Sequence, residues 1–319
     1  MRTETDLRSP VRPLEIFGLR PLAPALRGTA DAMLGRSGLP PVLWGLSSLR
    51  ILRPWISLPT WLGVRRADRR VPLYNLFNRD RRPPAEGYSV RVTRGHDYRG
   101  RRFTYDSHHG TDFSVPVGTP VVAAAPGRVF KVANHIDHGG LKVCLDHGGA
   151  LSTISNHLSR ALVAEGQDVA RGQVIGLSGA SGMEFFLLFP WVSPHLHFDT
   201  LLDAEPVDPF ARLDRGETPL WRTGNDPIPC SGPEDREFEP TAFDPAAVEA
   251  GIAACRHEAS RHALEAISDL YRRATELMVL RVFRAPWFDA FPALAAGPVA
   301  RTPRLDLPFR AEDVTGVVG

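Results

Sequence analysis

Residues 139–155 read Gly139-Gly140-Leu141-Lys142-Val143-Cys144-Leu145-Asp146-His147-Gly148-Gly149-Ala150-Leu151-Ser152-Thr153-Ile154-Ser155, and this stretch decides the fold. Apolar residues alternate at Leu141, Val143 and Leu145, a second run of strand type follows at Leu151 to Ser155, and a glycine pair precedes each run. Such pairs supply the backbone freedom that tight hairpin connections need, so neighbouring strands joined by turns are predicted here. The same pattern continues outward. Val121 to Ala124 and Arg128 to Val132 lie upstream with Pro126-Gly127 between them, and Val174 to Leu177 and Leu196 to Thr200 lie downstream. The fold class expected is mainly β: an antiparallel β-sandwich or distorted barrel.

This β zone, placed at 86–225, divides the chain into three. Residues 1–85 form an N-terminal extension rich in Pro, Arg, Leu and Trp, without sustained periodicity, and close on the polar stretch Asn78 to Gly87. Residues 226–319 open with a proline-bearing linker, after which Asp244-Pro245 offers a helix N-cap with proline at the first helical position. Apolar residues then recur at Val248, Ile252, Cys255, Ala259, Ala263, Ile267, Leu270, Ala274 and Leu277. That spacing predicts one long amphipathic helix ending before Pro286. His257 and His262 fall on different faces of it and are not read as metal ligands.

With 319 residues, 43% hydrophobic, the chain can bury a sizeable core. Its net charge of +2 comes from arginines interleaved with acids, so no basic block points to nucleic acid. The three cysteines, Cys144, Cys230 and Cys255, are widely spaced and odd in number, which argues against a disulfide framework or a thiolate metal site. No secretory leader is visible in Met1 to Pro10, where Glu4 and Asp6 interrupt. The apolar stretch Pro41 to Val64 is broken by Arg50, Arg53, Pro54 and Pro59, so no transmembrane helix is expected. Trp44, Trp55 and Trp61 suit a membrane surface, but packing against the following domain accounts for them more simply.

The informative histidines, of eleven in all, lie in the β zone. His108 and Asp112 flank a glycine in His108-His109-Gly110-Thr111-Asp112, and an imidazole and a carboxylate so placed can converge on one cation. In Pro194-His195-Leu196-His197-Phe198 the two histidines share one strand face while Leu196 and Phe198 face the core. His157 follows directly on a strand in Asn156-His157-Leu158-Ser159. A catalytic metal needs three protein ligands, an open position and a further titratable group nearby, and these clusters together supply enough donors. Asp106 and Asp199 are placed to orient an imidazole. His96, His135, His138 and His147 read as surface or turn residues.

The run from His108 to Thr200 resembles the lysostaphin/LytM-type zinc endopeptidases. The likeness rests on His108 to Asp112, Ser114-Val115-Pro116-Val117-Gly118-Thr119-Pro120-Val121, His157-Leu158-Ser159, Glu165-Gly166-Gln167-Asp168-Val169, Gly172-Gln173-Val174-Ile175-Gly176 and His195-Leu196-His197-Phe198. It implies Zn2+ held by His108, Asp112 and His197, catalysis assisted by His157 and His195, and a peptide substrate in peptidoglycan cross-links. The residues alone leave His108 and His109 interchangeable, and the resemblance selects His108. The apolar stretch Met183 to Val192 departs from the family's short polar loop and is expected to reshape and limit access to the substrate groove, with packing against the chain's extra N- or C-terminal segments favoured over direct substrate contact. Action in the cell envelope is the family expectation, although no leader is visible. A non-catalytic LytM-like regulator or cell-wall-binding protein is the alternative, disfavoured because all five site residues are present. A biotin- or lipoyl-type carrier is disfavoured because Lys131 and Lys142, the only lysines, read as strand residues.

Overall fold

The computed structural model describes residues 9–33, 40, 42–81, 87–92, 95–100, 104–234 and 236–319. Residues 1–8 of the stretch read for a leader and residues 82–86 of the polar stretch closing the N-terminal extension lie outside the described residues. The strands are β1 (Arg70–Asn75), β2 (Thr111–Ser114), β3 (Pro120–Val122), β4 (Gly127–His135), β5 (Gly140–Asp146), β6 (Leu151–Ala161), β7 (Asp168–Val169), β8 (Val174–Ser178), β9 (His195–Leu202), β10 (Glu205–Pro206), β11 (Pro229–Cys230), β12 (Leu307–Arg310) and β13 (Gly316–Val318). The six runs expected from alternation all form strands. The protein is largely β, and eleven of these strands join in one mixed sheet ordered β13-β1-β2-β9-β6-β5-β4-β7, with β3, β8 and β10 off this path. Where the sequence suggested two packed sheets or a distorted barrel, this sheet forks.

The fork is at β6. Its first half pairs β9 from Leu151↔Leu202 to Asn156↔His197, and its second half pairs β8 from Leu158↔Ser178 to Ala161↔Gly176. On the other side β5 pairs Val143 with Ser155 and Leu141 with Leu158, so Asn156 and His157 together oppose Lys142. That extra residue is a bulge, and His157 sits in it with φ +60°. Gly139 and Gly140 in the adjoining β4–β5 turn also have positive φ, and a Cβ on Gly140 would collide with the Ser181 carbonyl.

Alternate residues face opposite layers. Val129, Val143, Leu145, Leu196 and Phe198 join the main core with Phe113 and Trp221, whereas Phe130, Cys144, Ile154 and Leu201 pack beneath C-terminal helices. The cysteines are free and buried. The extension expected to be irregular carries α1 (Pro13–Ile16), α2 (Leu22–Met33), α3 (Pro54–Trp61) and strand β1. β1 inserts between β2 and β13, so both ends of the chain enter the central sheet. Pro72 hid this strand from pattern reading, because proline is rare inside a ladder. It is tolerated since pairing with β2 begins only at Leu73.

The apolar stretch Met183 to Val192 forms α4 (Met183–Leu188) and a following turn. Phe185 and Val192 pack with Tyr74, Phe17 and Trp61, as the sequence suggested. The single C-terminal helix is corrected to three: α5 (Pro245–Ala253), α6 (Glu258–Glu265) and α7 (Leu270–Phe283). Asp244 caps α5 as expected, the His257 ring accepts from Ser260 N at the start of α6, and Asp269 accepts from Arg272 N at the start of α7. These internal caps end each helix early, while the apolar spacing survives because Val248, Ile252, Cys255, Leu264, Ala274 and Leu277 still share one cluster.

The Asp146 carboxylate ties the C-terminal region to the hairpins. It accepts from Gly148 N (2.9 Å), Thr241 N (2.9 Å), Thr241 Oγ1 (2.6 Å) and the Tyr271 hydroxyl (3.0 Å). Asp146→Ala leaves these donors facing a void and is expected to lower unfolding free energy by roughly 2–4 kcal/mol. Asp146→Asn, which keeps one acceptor oxygen, should lose less. Urea denaturation of both variants checks this, and an Asp146→Ala midpoint equal to that of the parent chain would contradict it.

Candidate functional site

Strand register assembles the site. Alternation on β9 sends His195 and His197 to the face opposite Leu196 and Phe198, and β2 lies beside β9 with Asp112 paired to His197. His108 precedes β2 and is folded back by Gly110, where a Cβ would lie 2.7 Å from His197 Nε2 and 2.8 Å from Asp199 Oδ1. The bulge in β6 brings the His157 ring 4.9 Å from His195 and 5.8 Å from His197. All five sequence-selected residues, His108, Asp112, His157, His195 and His197, therefore meet at one place.

Three donor atoms face one another. Asp112 Oδ1 lies 2.7 Å from His197 Nδ1 and 3.1 Å from His108 Nε2, and the two nitrogens are 3.2 Å apart. Their other ring nitrogens are engaged: His108 Nδ1 donates to the Leu76 carbonyl (2.8 Å), and His197 Nε2 donates to Asp199 Oδ1 (3.0 Å). With those protons so placed, both imidazoles in their neutral forms turn lone pairs toward a carboxylate oxygen. Such a cluster repels itself unless a cation lies within it, and His108, Asp112 and His197 could hold a metal ion.

His109 is placed differently. Its Nδ1 donates to Asp199 Oδ1 at 2.7 Å, so of the adjacent pair only His108 reaches Asp112. His109, His197 and Asp199 also form a close group. Asp199 thus orients two imidazoles, as its sequence position suggested, and is itself held by Asn156 Nδ2 at 2.8 Å. Asp106 instead accepts from Ser89 Oγ (3.0 Å).

The electrostatics follow from this geometry. Burial alone would push the His197 pKa down, but the Asp199 charge and hydrogen bonds to Asp112 and Asp199 outweigh it and lift the value to about 10. Burial would likewise raise both carboxylates. The neighbouring His108 and His195 hold Asp112 well below the usual range, and His197 and His109 do the same for Asp199. His195 and His157 are lowered, first by burial, and so are neutral near pH 7. Nδ1 of His195 donates to Ser193 O (2.7 Å) and Nδ1 of His157 to Ser181 O (2.8 Å). Each keeps Nε2 free as an acceptor, and that of His195 is 3.5 Å from Asp112 Oδ1.

Sequence reasoning missed several supports. Asn75 donates to Asp112 Oδ2 at 2.7 Å, Tyr74 stacks on His195 with ring centres 5.6 Å apart, and the Tyr105 ring lies 4.7 Å from His108. None stands in a motif, and the first two come from the strand that Pro72 concealed. Glu184, 3.3 Å from His157 Nδ1, was visible only as the lone charge of an apolar stretch. The surface or turn reading fails for His147, which is buried and bonded through Nδ1 to Pro126 O and through Nε2 to Thr153 Oγ1 (2.8 Å each).

Residues 106–209 match the sequence model of peptidase family M23. Over 101 residues the chain is 42% identical to peptidoglycan DD-endopeptidase ShyA of Vibrio cholerae, covering 32% of this chain and 22% of that protein. It is 34% identical over 108 residues to DD-carboxypeptidase/endopeptidase Mpg of Neisseria meningitidis, covering 34% and 23%. The chain thus spans about a fifth of the length of these curated relatives. Among solved structures, the catalytic domain of the antimicrobial peptidase lysostaphin from Staphylococcus simulans is 32% identical, with 33% of this chain and 77% of that one covered and a TM-score of 0.28. A zinc-containing peptidase from Vibrio cholerae is 33% identical over 46% of this chain and 37% of that one, with a TM-score of 0.33. The stretch from residue 106 to residue 209, which carries all five converging residues, is a peptidase family M23 domain of the lysostaphin/LytM type.

Proposed function

We propose that this protein is a zinc-dependent endopeptidase cleaving peptide cross-links of peptidoglycan, with His108, Asp112 and His197 as metal ligands and His157 and His195 as catalytic partners. The observation carrying this reading is the mutual approach of three potential ligand atoms at 2.7, 3.1 and 3.2 Å. Ligands at zinc bond lengths in tetrahedral geometry lie roughly 3.3 Å apart, so the donor set fits the ion in type and spacing. When bound, zinc supplies Lewis acidity toward the scissile carbonyl and lowers the pKa of a water toward about 7.

The chain's own groups do the rest. His195 and His157 are neutral and present unprotonated Nε2 atoms, so either can accept a proton from the attacking water and pass it to the departing amine. Ser193 O and Ser181 O hold the rings in that tautomer. The names of the relatives support peptidoglycan as substrate, and that substrate would put the site of action in the cell envelope. The catalytic unit in this reading is the region 86–225, flanked by an N-terminal extension and a C-terminal helical segment.

Ligands and catalytic groups fail differently when removed. His197→Ala should lose zinc and turnover together, whereas His195→Ala and His157→Ala should each retain about one zinc per chain while hydrolysis falls by about 10²-fold or more. Zinc stoichiometry and digestion of purified peptidoglycan, measured on all three, test the assignment. Parental hydrolysis in both His195→Ala and His157→Ala would remove their catalytic role even with the metal ligands upheld.

Zinc binding should also release a proton. His197 is protonated near neutral pH in the metal-free protein, since its pKa is raised to about 10, and the ligand must be neutral to bind. Affinity should therefore rise with pH by up to about tenfold per unit below that value. Calorimetric zinc titrations between pH 6 and 8, in buffers of different ionisation enthalpy, should show about one proton transferred to buffer. A pH-independent affinity without proton release would overturn the assigned protonation state.

A further inference from the structure

α3 is apolar on its outer side as well as on its inner one, where Ile56 and Trp61 pack against the core. Its inward face also carries hydroxyls: Ser57 Oγ donates to the Pro190 carbonyl, and Thr60 Oγ1 lies 3.1 Å from Ser114 Oγ. Its outward side carries Trp55 and Leu58, 71% and 40% exposed, and Leu62, directly after the helix, is 81% exposed. In a surface helix the apolar stripe ordinarily turns inward and the polar side outward. The turn before it repeats the feature, since Leu46 and Leu49 are also exposed.

A second exposed set adjoins this one. The Trp61 ring lies 4.9 Å from Phe189 and Trp61 Nε1 donates to the Val192 carbonyl at 2.9 Å, which joins α3 to the segment after α4. That segment and α4 expose Leu187, Phe189 and Trp191, at 62%, 53% and 49%. Exposed tryptophans and leucines gathered on adjoining elements mark an interaction surface rather than scattered surface residues. Arginine outnumbers acid in the sequence beside them. Between residues 50 and 70 there are six arginines, Arg50, Arg53, Arg65, Arg66, Arg69 and Arg70, and one acid, Asp68. Arg65, Arg66 and Arg70 meet Asp313, Asp68 and Asp226, yet each guanidinium side chain remains about two-fifths exposed or more.

We propose that this face docks on an anionic lipid bilayer surface. Indole rings and leucines enter the headgroup and acyl boundary, and arginines beside them meet lipid phosphates. Among the described residues no helix is long and apolar enough to cross a membrane, and the contact proposed is with the bilayer surface. The docking face adjoins the histidine site through α4, which turns Leu187 outward while the Phe185 ring sits 5.0 Å from His157 and 5.2 Å from His195. The lipid surface and the reacting centre thus share one short helix. This inference stands independently of the hydrolase reading.

Flotation of the full chain with vesicles tests it. Vesicles of phosphatidylcholine with about one quarter phosphatidylglycerol should carry the protein at low salt, and pure phosphatidylcholine should carry markedly less. The double variant Trp55→Ser, Trp191→Ser should lower the partition coefficient by about tenfold or more while its circular dichroism and thermal midpoint stay at the parental values. Arg50→Glu should weaken binding to the anionic vesicles alone. No flotation on either vesicle would overturn the proposal, as would flotation unchanged in the double variant. Equal binding to both vesicles overturns the anionic assignment. A dimer in light scattering that the double variant dissociates would assign the face to a second copy of the chain instead.

Discussion

Asp112 Oδ1 is the atom around which the site is organised. Two imidazole nitrogens face it at 2.7 and 3.1 Å, and a third, His195 Nε2, stands at 3.5 Å. A carboxylate buried this deeply is costly without compensation, and lone pairs directed at it raise the cost. The surrounding hydrogen bonds make that arrangement the one available. Leu76 O fixes the proton of His108, Asp199 fixes that of His197, and Asn75 occupies the second oxygen of Asp112. Positive charge at the centre is what these contacts demand, from a metal ion or, without one, from a proton on His197.

The bulge in β6 serves the same centre from the opposite side. A non-glycine residue in the left-handed region costs about 1 kcal/mol or more, and persists only where its surroundings enforce it. His157 is enforced by its own N–H on Gly139 O (3.0 Å), its ring on Ser181 O and the switch of pairing partners from β9 to β8. A regular strand would alternate past this point with β9 and send the ring elsewhere. Strand register alone delivers His195, His197 and Asp112, whereas His157 needs an irregularity.

That difference explains what could be read in advance. The strands β3 to β6, β8 and β9 announce themselves by alternation between glycine signals, and the His-x-His pair on β9 follows from period two alone. The choice of His108 over His109 did not follow from the residues, because both flank the same glycine and only the approach of β9 separates them. The C-terminal helices were merged because periodicity reports burial, which runs continuously across the breaks, while the caps at His257 and Asp269 are local events inside the pattern. Ser268-Asp269 before Leu270 was a legible cap. The His257 ring as an acceptor was not, since histidine is an uncommon cap.

The family match from residue 106 to residue 209 carries the five converging side chains but lacks the groups that fix two of them. The carbonyl that sets the tautomer of His108 belongs to Leu76 and the amide that holds Asp112 belongs to Asn75, both at the end of β1. β1 in turn is flanked on its outer side by β13, from Arg70↔Gly316 to Pro72↔Val318, so the last residues of the chain brace the strand that braces the site. The core agrees: Val71 and Leu73 pack in the same cluster as Phe113 and Phe198 from the matched region and Leu307, Phe309 and Val317 from the C-terminal end. In this chain both flanks are therefore structural parts of the site, because they decide which nitrogen of His108 carries the proton and which oxygen of Asp112 is left to face the centre.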